Sequence, residues 1–257
     1  MSRRKLTLGV SMKMYFGYQQ TLDWCRKVGA IVSPHPLASM PQVRLFVLPA
    51  FPALAPVTRI LADSPVDVGA QDLHWADNGA FTGEVSGAML HEIGCRYVEI
   101  GHAERRRYFG ETDELIALKT AAAWRNGLTP VLCVGEESRG PARQAIEICQ
   151  AQLDAALDLA RKQQLTGDLI LAYEPQWAIG SIEPAPVDEI SEVCQALKQK
   201  FNQQADVRDG RVIYGGSAGP GLLSQLGEPV DGLFLGRFAH DPAAFRSILD
   251  EALALHQ

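Results

Sequence analysis

Short apolar runs rich in β-branched residues recur along the chain, each closed by a polar or glycine-rich turn. Five come early: LTLGV (6–10), VRLFVL (43–48), VDVGA (66–70), YVEIG (97–101) and TPVLCV (129–134). LILAY (169–173), RVIY (211–214) and GLFLG (232–236) complete a set of eight. Runs of this length and composition predict strands. Between them lie longer stretches with helical spacing: Glu114 to Arg125, Arg143 to Gln163 and Val187 to Phe201. In the last, Val187, Ile190, Val193, Cys194 and Leu197 fall on one face with a 3.6-residue period.

Strands that alternate with helices imply parallel β-α units, so the fold class is α/β. Eight such units in this length match a closed (β/α)8 barrel, expected as a single domain over residues 1–257. A doubly wound open sheet is the second architecture. No long linker, charge block, low-complexity segment or short-period repeat points to a second domain.

Composition narrows the partners. Of 257 residues, 47% are hydrophobic and 21% charged, enough apolar surface for one core. A net charge of −6 argues against nucleic acid as partner, and RRK at 3–5 is too short for a nucleic-acid arm. Five cysteines (25, 95, 133, 149, 194) form no C-x-x-C pair. That predicts reduced, buried thiols rather than a disulfide frame or a zinc site. The N-terminus lacks the apolar region of a signal peptide, and no run of about 18 apolar residues would cross a membrane. The expectation is a soluble cytoplasmic protein with no membrane partner.

A barrel of this kind predicts where its chemistry lies, just after the C-terminal ends of the strands. Lys13 follows the first run and Gln71 the third. His102, with Glu104, Arg105 and Arg106, follows the fourth; Glu174 and Pro175 follow the sixth. Gly215-Gly216-Ser217 follows the seventh and Gly236-Arg237 the eighth. A glutamate ending an apolar strand is a carboxylate short of water and suited to act as a base. A histidine opening a helix can donate a hydrogen bond to a carbonyl, and a lysine supplies positive charge for a developing oxyanion. Glycine-rich turns expose N–H groups that suit a phosphate. Together these describe proton abstraction beside the carbonyl of a phosphorylated sugar.

Each residue alone has a plainer reading. Lys13 could be a solvated cation, His102 a helix cap, Glu104-Arg105-Arg106 a helix-end ion-pair network, and Glu174 a simple strand end. Met12 and Met14 read as packing. The convergence of all of them carries the functional reading.

The same segments resemble the triosephosphate isomerase family. YVEIGHAERRRYFGETDE (97–114) is similar to that family's fourth-strand signature, and AYEPQWAIGS (172–181) to its glutamate and lid segment. YGGSAGP (214–220) and VDGLFLGR (230–237) resemble its phosphate loops, VLCVGE (131–136) its fifth strand, and GAQDLHWADNGAFTGEVS (69–86) its crossing loop. The matches keep the family's order over nearly the whole chain. The resemblance implies a TIM barrel without cofactor or metal, acting on a small phosphorylated sugar. Glu174 is then the base that shuttles a proton between neighbouring carbons, and His102 the electrophile on the substrate oxygens. Lys13 stabilises the enediolate and the phosphate, with Glu104 holding its surroundings by charge. Residues 176–185 form the lid, including Gln176, Trp177, Ala178, Ile179 and Ser181, with the Gly180 N–H reaching the phosphate. Ser217, Gly236 and Arg237 complete the phosphate site. Thr82 would reach the active site of a second copy, so a homodimer is implied.

Three departures fall inside this site. The family's Asn-Trp-Lys-Met is Ser11-Met12-Lys13-Met14 here, so a hydroxyl stands where an amide would touch substrate oxygen. The family's paired glycines in the last phosphate loop are Gly236-Arg237, which adds charge near a phosphate. The lid reads Gly180-Ser181-Ile182-Glu183-Pro184 instead of Gly-Thr-Gly-Lys, a stiffer segment. More room and more charge imply the same reaction on a longer substrate, with Ser11 among its contacts: L-erythrulose 1-phosphate and D-erythrulose 4-phosphate. The erythritol-pathway branch of the family shares the Gly-Arg ending and HWAD (74–77). The second reading is the glycolytic triose reaction, with Ser11 and Arg237 as tolerated changes.

Other classes fit less well. A Schiff-base aldolase on this barrel usually takes its lysine from a later strand than Lys13. A non-catalytic phosphate-binding barrel would need no Glu174. HEIGC (91–95) lacks the second histidine of a metal helix, and YGGSAGPG lacks the first β-α context of a dinucleotide site.

Overall fold

All eight apolar runs become strands of one closed sheet, in the order β1 to β8 around the barrel. The computed structural model describes residues 4–255, so Arg3 of the RRK run lies outside the described residues. The strands are β1 (Leu6–Ser11), β2 (Val43–Leu48), β3 (Val66–Ala70), β4 (Tyr97–Ile100), β5 (Thr129–Val134), β6 (Gly167–Tyr173), β7 (Val207–Tyr214) and β8 (Gly232–Leu235). Every pair is parallel, and β1 closes on β8 through Thr7↔Gly232 to Val10↔Leu235. Closure rules out the open doubly wound sheet.

Strands buried on both faces explain the unbroken apolar runs. Alternate residues divide between two cores. Phe46, Leu48, Tyr97, Val131, Cys133, Ile170, Ala172, Ile213 and Phe234 fill the lumen. Val98, Ile100, Leu132, Leu169 and Leu171 face outward into the larger core under the helices. Gly9 on β1 is a packing requirement: a Cβ there would run into the Phe46 ring.

The helices pack their apolar stripes on this outer face. Val187–Phe201 buries Ile190, Val193, Cys194, Leu197 and Phe201, and Ala142–Lys162 buries Cys149, Leu153, Ala156, Leu157 and Ala160. All five cysteines are buried and unpaired. Among the described residues no helix is long and apolar enough to cross a membrane.

Candidate active site

Glu174 is the first residue beyond β6, and its N–H donates to Val134 O at 2.8 Å. That bond continues the β5–β6 ladder and fixes the side chain at the barrel mouth. Glu174 is 4% exposed, and its Oε2 has no hydrogen-bond partner among the described residues. Gly215, just beyond β7, makes the space: a Cβ there would lie 2.7 Å from Glu174 Cγ and 2.8 Å from Oε1.

His102 caps the helix Ala103–Phe109, its Nδ1 accepting the Glu104 N–H at 3.1 Å. The plain helix-cap reading is therefore correct as far as it goes. Using Nδ1 as an acceptor leaves Nε2 as the ring's donor. Nε2 faces inward, 3.6 Å from Glu174 Oε2 and 4.0 Å from Glu99 Oε1.

Lys13 sits just past β1 with φ +49°, a left-handed backbone that a residue with a side chain seldom adopts. The Gln71 amide donates to Lys13 O and to Leu48 O, each at 2.9 Å, and so holds that turn in place. The Lys13 ammonium is 2.7 Å from Glu104 Oε1. Burial works to lower its pKa, but the Glu104 bond and the charges of Glu104, Glu174 and Glu99 outweigh that and raise it. Lys13 therefore carries its charge throughout the neutral range. Of the neighbouring arginines, Arg105 pairs with Asp72 at 2.9 Å and Glu111 at 2.6 Å, and Arg106 with Asp113 at 2.7 Å.

Glu99 was not visible as a site residue in the sequence. It lies within β4, 3% exposed, among the apolar residues of the lumen. Ser11 Oγ donates to Glu99 Oε2 at 2.8 Å, so the hydroxyl at the position of the family's asparagine already has a protein partner. Ser11, Lys13, Gln71, Glu99, His102 and Glu104 line one cleft of about 440 Å³.

The family model for triosephosphate isomerase matches residues 6–252. The chain belongs to the triosephosphate isomerase family. It is 80% identical to the L-erythrulose-1-phosphate isomerase of Pectobacterium atrosepticum, over 99% of this chain and 98% of that one. It is 41% identical to the L-erythrulose-1-phosphate isomerase of Rhizobium etli, over 94% and 90%. With the triosephosphate isomerase of a Synechococcus strain it shares 37% identity, over 98% and 99%.

The segment matching the family's lid starts in a short turn, Gln176–Ala178, pinned from below by Glu136. Glu136 Oε1 accepts from Trp177 Nε1 at 2.7 Å and from Tyr173 OH at 3.2 Å. Farther along, Ser217 Oγ reaches Ser181 O at 2.7 Å and Ala178 O at 3.2 Å. Arg237 Nη2 donates to Gly180 O at 3.1 Å, and Tyr214 OH accepts the Ala185 N–H at 3.0 Å. The side chains of both expected phosphate residues, Ser217 and Arg237, thus grip carbonyls of Ala178, Gly180 and Ser181. Gly236 links the end of β8 to Arg237, and Ile182, Glu183 and Pro184 are exposed. Ile179 and Ser181 are half-buried.

Thr82 does not line the cleft that holds Lys13 and His102; it stands exposed in the 69–86 segment. HWAD braces that loop. His74 packs at a tilt against Trp75 and Phe81 with ring centroids 4.0 and 4.1 Å away, and Asp77 pairs with Arg125 at 3.0 Å and Asn126 at 2.7 Å. At the loop's base, buried Lys119 bonds Asp72 at 2.6 Å and also Glu111. A second cleft, about 420 Å³, opens at the opposite end of the barrel among Arg44, Asp67, Arg96, Asp168 and Arg208. It holds none of the predicted site residues.

Proposed function

We propose that the chain interconverts L-erythrulose 1-phosphate and D-erythrulose 4-phosphate through an enediolate, as a step of erythritol catabolism. The observation that carries the chemistry is the approach of His102 Nε2 to Glu174 Oε2 at 3.6 Å, beside a charged lysine. The relatives named for this substrate, one at 80% identity over nearly the whole chain, support the four-carbon choice.

Glu174 takes the proton from C3 of L-erythrulose 1-phosphate, and the C2 carbonyl becomes an enediolate oxygen. His102 Nε2 moves a proton between the two neighbouring oxygens. The Lys13 ammonium stabilises the negative charge while Glu104 keeps it in place. Glu174 returns the proton to C2, leaving the carbonyl on C3. Numbered as the product, this is D-erythrulose 4-phosphate. The phosphate sits against the Gly215–Ser217 and Gly236–Arg237 turns and the Gly180 N–H. Residues 176–185 cover the site and keep water from the enediolate.

The working assembly is a cytoplasmic homodimer in which Thr82 of one protomer enters the cleft of its partner. Exposed Met14, Phe51, Tyr108 and Phe109 around that cleft support this. The test of the substrate is kcat/KM on L-erythrulose 1-phosphate beside dihydroxyacetone phosphate. The four-carbon sugar should win. A triose advantage of about tenfold or more, roughly 1.4 kcal/mol of transition-state preference, would overturn the choice.

A further inference from the structure

A buried carboxyl in a hydrocarbon lumen is costly unless its oxygens are satisfied. Glu99 is 3% exposed, yet among the described residues its one strong hydrogen bond is from Ser11 Oγ at 2.8 Å. Among those residues its other oxygen meets Cys133 Sγ and His102 Nε2, each at 4.0 Å. The roles of base and of partner to Lys13 fall to Glu174 and Glu104, so neither accounts for Glu99. Glu99 and Ser11 line the open cleft beside His102 and Lys13, within reach of a ligand there.

Position supplies the rest. The phosphate turns follow β7 and β8, and β4 stands across the eight-stranded ring from β8. A phosphate at β7–β8 and reacting carbons between Glu174, His102 and Lys13 leave the far end of the substrate pointing at β4. We propose that Glu99, with Ser11, is the specificity site for the terminal hydroxymethyl group of a four-carbon ketose phosphate. This rests on the four-carbon reading above. The Ser11 proton is committed to Glu99, so Ser11 Oγ has lone pairs to offer, and Glu99 Oε1 has an open place for a hydroxyl. Burial lifts the Glu99 carboxyl to about 7; His102 opposes this, Glu174 adds to it, and Ser11 and Lys13 oppose it. Near neutral pH the group can therefore both accept from a hydroxyl and donate to one. A three-carbon substrate has no such group to present.

The test is a cycle of enzyme variants and substrates. Measure kcat/KM for wild type, Glu99→Gln and Glu99→Leu on L-erythrulose 1-phosphate and on its 4-deoxy analogue, which lacks only the terminal hydroxyl. Wild type should favour the hydroxylated sugar by about tenfold or more, because a site built for a hydroxyl rejects the analogue without it. Glu99→Leu should collapse that ratio to about twofold or less. Glu99→Gln keeps the shape and can still hydrogen-bond, so it should give an intermediate ratio even if the leucine variant folds poorly. A ratio that survives in both variants, or that is absent in wild type, overturns the assignment. If wild type favours dihydroxyacetone phosphate over L-erythrulose 1-phosphate, the four-carbon reading fails and this site with it. If wild type favours the four-carbon sugar but the variants keep the ratio, only the site fails.

Discussion

Glu174 Oε2 lies 3.6 Å from His102 Nε2, buried and without a hydrogen-bond partner among the described residues. An oxygen left without a hydrogen-bond partner is held ready for one that substrate supplies. Glu174→Asp withdraws the carboxylate by one methylene and should lower kcat by about a hundredfold or more through misplacement alone. Glu174→Gln removes the base and should cost about 10³-fold or more. Thermal unfolding of the glutamine variant should stay close to wild type, because the amide fills the same space. Near-full activity in either variant would refute the base assignment.

Gly215 should be as sensitive as a residue with chemistry of its own. The Cβ of Gly215→Ala would press on the Glu174 side chain at 2.7 and 2.8 Å. The expected loss is about a hundredfold in kcat with about 1–3 kcal/mol of stability. Activity and denaturant unfolding measured together separate the two. Loss of stability without loss of kcat would show that Glu174 can move aside.

Gln71 holds Lys13 in its left-handed turn through two bonds of 2.9 Å. Gln71→Ala releases that turn and leaves Lys13 O and Leu48 O without their side-chain donor. The variant should lose about 1–3 kcal/mol of stability and roughly tenfold or more in kcat, since the ammonium is then poorly aimed. Rescue by Gln71→Asn should be poor, because the shorter amide does not span both carbonyls.

Glu99 gives stability a specific dependence on pH. Burial lifts its carboxyl from the ordinary 4.5 to about 7 in the folded chain. Between those values the folded state holds a proton that the unfolded state has released, so stability falls as pH rises through that window. The groups facing Glu99 are Ser11 and Lys13 from β1 and its loop, His102 after β4, Cys133 on β5 and Glu174 after β6. Glu99→Gln leaves all of them in place. Denaturant unfolding at pH 4.5 and 7.5 should show wild type losing on the order of 3 kcal/mol relative to Glu99→Gln. A constant difference across that range would contradict the assignment.

The barrel could be read from the sequence because its strands are buried on both faces, which leaves unbroken apolar runs. β7 starts four residues earlier than its run, at Val207, because Val207 to Gly210 are at least partly exposed and look like a turn. The helices Leu54–Ile60, Gly87–Glu92 and Leu222–Leu226 are too short to show a period. Lys13, His102 and Glu174 stood out because each follows a strand. Glu99 did not, since it lies inside the run YVEIG and passed as strand. The signal was the alternation: Tyr97 and Glu99 face the lumen while Val98 and Ile100 face the helices. Nor could local patterns bring together Lys119, Asp72 and Glu111, whose pairing spans 47 residues between Lys119 and Asp72.

The most direct measurement follows L-erythrulose 1-phosphate by ¹³C and ¹H NMR in D₂O with catalytic amounts of the enzyme. The carbonyl should move to the neighbouring carbon, giving D-erythrulose 4-phosphate with solvent deuterium at its C3. That deuterium marks the carbon to which Glu174 returns the proton. An unchanged ketose under conditions where dihydroxyacetone phosphate is converted would contradict the four-carbon isomerase assignment, and product formed at an undiminished rate by Glu174→Gln would contradict the role of Glu174 as base.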